Sequence, residues 1–182
     1  MAGLSCRLCV IVPPGSTEAA VGRVQERLFS EHGLVSAPCL PPLMPLAFLG
    51  DREPAAGMLR QVSRSVPAGW RIEVQGFQWV EGHLFARATS GGAWQRLRAA
   101  AEAAFERPAS PGLFPVFEGF YLGCSEAAPE ARHGIAPSIP ALSFTSATLA
   151  LVTVQHAPAP DWWSDLHWEI TEEFPFRGRR IA

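Results

Sequence analysis

The residues able to do chemistry in this chain are few and scattered. Cys6-Arg7-Leu8-Cys9 has the spacing of a metal knuckle or a redox pair. It runs straight into Val-Ile-Val and reads as a strand, in which residues three apart point to opposite faces, so the two thiols do not converge on one ion. Cys39 and Cys124 stand alone, with no second C-x-x-C and no matched histidine pair. All four read as buried, reduced thiols. The histidines are equally dispersed. His32 falls at a helix C-terminus, where a cation suits the dipole. His83 sits beside a hairpin turn and is expected in solvent, His156 lies in an Ala/Pro loop, and His167 alternates with Trp168 on a strand. No Ser–His–Asp arrangement and no metal-ligand spacing emerges, so neither a nucleophilic triad nor a metal or other cofactor is expected.

Composition narrows the class. The chain has 182 residues, 48% hydrophobic and 18% charged, which suits residues 1–182 forming a single domain of two intertwined lobes that share a core. The net charge of −2 offers no bulk attraction to nucleic acid or to an anionic membrane, and all 15 basic residues are arginine. The 17 prolines and 16 glycines fall mostly between elements, as in a loop-rich globular fold. The apolar run Leu8 to Val12 is too short to span a membrane and lacks the long apolar core of a signal peptide, so the expected address is cytoplasmic.

Hydrophobic spacing places the elements. Arg7 to Val12 reads as a strand ended by Pro13-Pro14. A helix capped by Ser16 or Thr17 runs to His32, with Val21, Val24 and Leu28 on one face and Gly33 at its stop. Pro41 to Gly50 is a second strand. Asp51 can cap a helix carrying Met58, Leu59, Val62 and Val66, broken at Pro67 to Gly69. Trp70 to Val74 alternates as a strand, and two strands flank a Glu81-Gly82 turn. Gly91-Gly92 precedes a helix with Trp94, Leu97 and Ala101, closed by Pro108. Pro115 to Leu122 is a further strand, Ser125 to Pro140 holds one short helix, "LSFTSATLALVTV" reads as one long strand, and "LHWEITEEF" is the last. The order is α+β, two strand–helix–strand halves with antiparallel-rich sheets.

One strand carries unexpected residues. "PPLMPLAFLGD", Pro41 to Asp51, is apolar at alternate positions on both faces and puts Leu43 and Pro45 side by side on one of them. This stretch, the opening "RLCVIVPP" and the closing "LSFTSATLALVTVQHAPAPDWWSDLHWEI" resemble the two-histidine phosphoesterase superfamily, the 2'-5' RNA ligase and cyclic phosphodiesterase group. The resemblance implies a bilobal duplicated fold, two sheets around a central groove, with one Pro-His-x-Thr/Ser strand in each lobe. In this chain Phe48-Leu49-Gly50 match the tail of the first such strand, and "LFPVFEGFYLG" stands for the second, 116 − 43 = 73 residues on. An alternative second strand, "PALSF", offers Ala141 and Ser143.

What the resemblance implies about chemistry is missing here. One family histidine acts as base and the other as acid, while the hydroxyl residues hold the phosphate. Leu43 and Pro45 occupy the first pair of positions and Val116 and Glu118 the second. These four are expected to line the groove, with His133 near its mouth. Glu118, desolvated there, is the candidate general acid or base. Of the adjacent Trp162 and Trp163, one should point outward as a partner surface or a lid. Arg177 to Arg180, "RGRR", reads as a solvated basic tail. The function expected is binding of a largely apolar small molecule or of a protein partner, without phosphodiesterase chemistry. The alternatives are an enzyme working through Glu118 and a residual cyclic phosphodiesterase or RNA ligase activity.

Overall fold

Leu8 to Ile11 is apolar at every position, and the strand it forms, β1 (Leu4–Val12), is buried on both faces over those residues. The computed structural model describes residues 4–50, 54–107, 112–127, 129–132, 134–157 and 162–177. In it β1 lies between β2 (Met44–Leu49) and β7 (Ser146–His156), with β8 (His167–Arg177) beyond β7. A second four-stranded sheet has the order β5 (Gly119–Cys124), β4 (His83–Thr89), β3 (Ile72–Val80) and β6 (Leu142–Phe144). Every pairing in both sheets is antiparallel.

The helices follow the spacing of their apolar residues. In α1 (Gly15–His32) Val21, Val24 and Leu28 are buried, and Gly33 ends it at φ 65 with its N–H on the Phe29 carbonyl. Next comes α2 (Met58–Ser63); the expected cap, Asp51, lies outside the described residues. In α3 (Ala93–Ala104) Trp94, Leu97 and Ala101 face inward, and the Ser90 hydroxyl accepts the Trp94 N–H at 2.9 Å. The last helix is the single turn α4 (Pro129–Arg132). The β3–β4 hairpin turns at Glu81 and Gly82, both left-handed at φ 49 and 82, as a two-residue turn matching the strand twist requires.

Two buried clusters result. On one side the helices cover Met44, Leu46, Ile72, Phe120, Leu122 and Leu149 from both sheets. On the other, helix-free side, Leu8, Val10, Phe85, Tyr121 and Val152 of the two sheets meet each other. The sheets are joined where β2 and β5 come together: the Tyr121 N–H donates to the Leu43 carbonyl at 2.9 Å. Buried Gln25 of α1 donates to the Leu40 carbonyl at 3.0 Å and the Tyr121 carbonyl at 3.2 Å, satisfying backbone that neither ladder reaches.

Two expectations are corrected. "LSFTSATLALVTV" is not one strand. It breaks at Thr145, so that β6 pairs with β3 while β7 crosses to pair with β1. Phe144 ends the first piece edge-on to the Trp70 ring, 6.4 Å between centroids, and commits that piece to the second sheet. β5 begins at Gly119, not at Pro115, which carries consequences for the site. Among the described residues no helix is long and apolar enough to cross a membrane.

Candidate functional site

Leu43 lies in the helix-free cluster, just ahead of β2. Pro45 pairs with Val10, another member of that cluster, so alternation gives Leu43 and Pro45 one face, as the sequence suggested. Pro45 has no N–H to offer β1, and the ladder is irregular there: Val10 pairs with Pro45 and Cys9 with Ala47, leaving Leu46 unmatched. A bulge on an edge strand is where proline is tolerated. Its carbonyl accepts the Trp94 indole N–H at 3.2 Å.

The same bulge recurs in the other sheet and sets the second half of the site. Phe85 pairs with Tyr121 and Leu84 with Gly123, leaving Leu122 unmatched. Aligned on their bulges, Pro45 corresponds to Tyr121 and Leu43 to Gly119, with 121 − 45 = 76 and 119 − 43 = 76. The spacing of 73 expected from sequence is three residues short, and an odd shift turns every side chain to the opposite face.

Val116 and Glu118 lie toward the helices. Val116 packs on the helix-side cluster. Glu118 accepts hydrogen bonds from the Ser90 hydroxyl and, at 2.9 Å, from the Gln95 amide, which fastens the start of α3. It holds the Ser90 side chain that caps the helix, a positioning task that occupies both carboxylate oxygens. The sequence signal for this was the charge itself: Phe120 to Cys124 is an unbroken buried run, and a carboxylate just before it marks where the run has not yet begun.

In the bulge alignment Gly119 and Tyr121 match Leu43 and Pro45. A Cβ at position 119 would lie 2.6 Å from the Ala86 carbonyl oxygen and 3.0 Å from the Phe117 ring. That ring packs on Phe85 with centroids 5.1 Å apart, in the space a larger residue at 119 would need. Tyr121 is 0% exposed and stacks on Phe114 at 4.8 Å and 29°. Burial above all holds its phenol well above its ordinary pKa of 10.0, with the Cys124 and Ser36 side chains as the polar neighbours of its hydroxyl.

Sequence reasoning missed His83 as a member of this face. It pairs with Cys124 across β4–β5, two residues before Phe85, and its ring lies 6.2 Å from both Phe114 and Tyr121. The alternation His83-x-Phe85 was the available signal, masked by the neighbouring turn. Burial first, and the Arg132 guanidinium second, lower its pKa from 6.5 to about 4. The unfolded chain takes up this proton before the folded one does, so the His83 contribution to stability is complete above pH 6.5 and declines as pH falls toward 4. Denaturation midpoints measured across that window should fall more steeply in the wild type than in His83→Gln; parallel curves would refute the assignment.

Trp162 is not a partner surface. It begins a short helical turn, Trp162–Asp165, is 5% exposed, and lies 6.4 Å from both Phe114 and Tyr121. Trp163, half-buried, meets it edge-on at 5.8 Å. Cys9 lies in the helix-side cluster and Cys6 packs on the other, opposite faces as expected, and burial pushes both thiols up to about 12. His133, Pro108 and Gly178 to Arg180 lie outside the described residues.

No family model and no curated protein matches the chain. Its α+β architecture, two antiparallel sheets with helices on one side, is a fold shared with solved structures. The chain aligns with the crystal structure of E. coli LigT in its apo form at 14% identity and a TM-score of 0.50, over 96% of this chain and 98% of that one. It aligns with a second crystal structure, of a phosphoesterase, at 15% identity and a TM-score of 0.52, over 96% and 99%. At such identities the likeness is one of fold, and it spans nearly the whole chain.

Proposed function

We propose that this protein uses a phosphoesterase fold without phosphodiesterase chemistry, as a binding module whose helix-free inter-sheet face receives a largely apolar small molecule. The supporting observation is the set of side chains at the paired positions: Leu43 and Pro45 in one half, Gly119 and Tyr121 in the other. Leucine, proline and glycine carry no transferable proton, and a phenol held above its ordinary range stays protonated at neutral pH. The surrounding wall is Leu8, Val10, Phe85, Phe114 and Val152, an apolar lining with few polar groups, which suits an uncharged ligand and offers a phosphate little. Because Trp162 covers Phe114 and Tyr121, a ligand reaching this face has to move the Trp162–Asp165 turn.

Glu118 catalysis is not carried forward, since its carboxylate is engaged by Ser90 and Gln95 on the helix side. A protein partner is the second reading, and one observation favours it. Trp168 and Ile170 of β8 pair with Val154 and Val152, share their face, and are 41% and 38% exposed, extending the apolar surface beyond the covered region.

The test of the main reading is turnover. Incubated with a nucleoside 2',3'-cyclic phosphate, the protein should release no phosphomonoester above the buffer blank. Hydrolysis that depends on enzyme concentration and survives repeated purification would overturn it.

A further inference from the structure

We propose that the first part of β8 is a docking edge for a second copy of this chain, paired antiparallel about Trp168 so that two four-stranded sheets become one of eight strands. This deepens the partner reading above and rests on it; the small-molecule reading stands apart from it.

β8 is the outer strand of its sheet, and among the described residues no strand pairs with its far side. A strand packed on a core buries every second residue. The later part of β8 does so, with Phe174 packed on the helix-side cluster and Phe176 buried. From His167 to Thr171 every residue is exposed, on both faces. Two of these are Trp168 and Ile170, left in water on the face that carries Val154 and Val152. Such a strand, with a row of outward backbone N–H and C=O groups, is a template for another strand.

The residues around Trp168 specify which strand that is. In a two-fold antiparallel pair centred there, the two indoles meet at the axis. His167 of each copy then faces Glu169 of the other. Leu166, which packs on the helix-free cluster just ahead of β8, faces Ile170 of the other. Directly opposed residues share a face, so aliphatic side chains meet beside the indoles on one face and imidazole meets carboxylate on the other. An imidazole N–H donates to a carboxylate whether or not the ring is charged. Within its own chain His167 has only a loose, exposed acidic neighbour, Asp165 at 3.7 Å. Moving the axis to Glu169 sets two carboxylates against each other, and moving it to Ile170 sets each Trp168 against Glu172, so the charges choose the register. A bulge ends the pairing: Ile170 pairs with Val152 and Glu172 with Leu151, leaving Thr171 unmatched.

Sedimentation velocity of the full chain, carried to roughly 100 μM, is the test. Wild type should show a reversible monomer–dimer equilibrium. His167→Glu opposes two carboxylate pairs per dimer and should raise the dissociation constant about tenfold. Adding Glu169→Lys turns each of those pairs into Glu–Lys and should return the constant to near wild type. Trp168→Lys, which brings two cations together at the axis, should abolish the dimer while its monomer melts with the wild-type monomer, since the indole is exposed. A wild type that stays monomeric overturns the inference, as does a dimer indifferent to these variants or a His167→Glu loss that the double variant does not recover; in each case the exposed face remains open to a different protein. A Trp168→Lys monomer that melts well below wild type would show the indole to be packed within its own chain, and the partner reading would fall together with this inference.

Discussion

Replacing Gly119 with alanine is expected to lower the unfolding free energy by about 2–3 kcal/mol, the scale of overpacking in a close-packed interior. The gain alanine normally brings to a strand over glycine, roughly 0.5–1 kcal/mol, is included in that figure. The loss comes from geometry that side-chain rotation cannot relieve. The new Cβ meets the Ala86 carbonyl oxygen at 2.6 Å, and that oxygen belongs to β4, the neighbouring strand of the sheet. The Phe117 ring at 3.0 Å is the softer obstacle. Combining Gly119→Ala with Phe117→Ala should therefore not restore stability, since it removes the ring and leaves the carbonyl. Urea denaturation of both variants measures this. An alanine variant as stable as wild type would mean that position 119 does not sit where the bulge alignment puts it. The same carbonyl would meet the Cβ of any larger residue placed at 119.

Trp162→Ala is the second large effect, with an expected loss of about 3 kcal/mol. The indole is buried over Phe114 and Tyr121 and anchors the Trp162–Asp165 turn, so truncation leaves those rings facing a cavity or solvent. Trp163→Ala should cost markedly less, because that ring is only half-buried and touches the site through Trp162. Thermal melts separate the two. If Trp162 is also the lid, the alanine variant should take up an apolar probe faster than wild type even as it melts earlier. A melting temperature indistinguishable from wild type would show that the turn is not packed on the groove, and with it the account of access would fall.

Much of the fold was legible from local pattern. The faces of α1 and α3, the Gly33 stop, the Glu81-Gly82 turn and the division of Cys6 from Cys9 are all consequences of helix and strand periods acting over a few residues. The first half of the site, Leu43 and Pro45, was legible for the same reason, since "LAFLG" follows them directly and holds the register. The second half was not. Between α3 and β5 the chain contains two prolines, a glycine and two aromatic residues from Pro111 to Phe117, and no local period locates the start of the strand there. A shift of three residues in where that strand begins is enough to turn a side chain from one face of the sheet to the other.

The sequence by itself determined that this chain makes an α+β protein and that the stretch from Pro41 to Gly50 carries no histidine and no hydroxyl. Those properties reside in residue identity and short-range spacing. Only the tertiary structure decided which residues complete the site. The bulge shared by β1–β2 and β4–β5 sets the register, Phe117 fills the space beside Gly119, and Trp162 closes over the rings. The approach of the His83 ring to the Tyr121 ring belongs to the same category. It joins residues 121 − 83 = 38 positions apart on neighbouring strands, and a strand's register is chosen by what its two faces can bury, not by the strand alone.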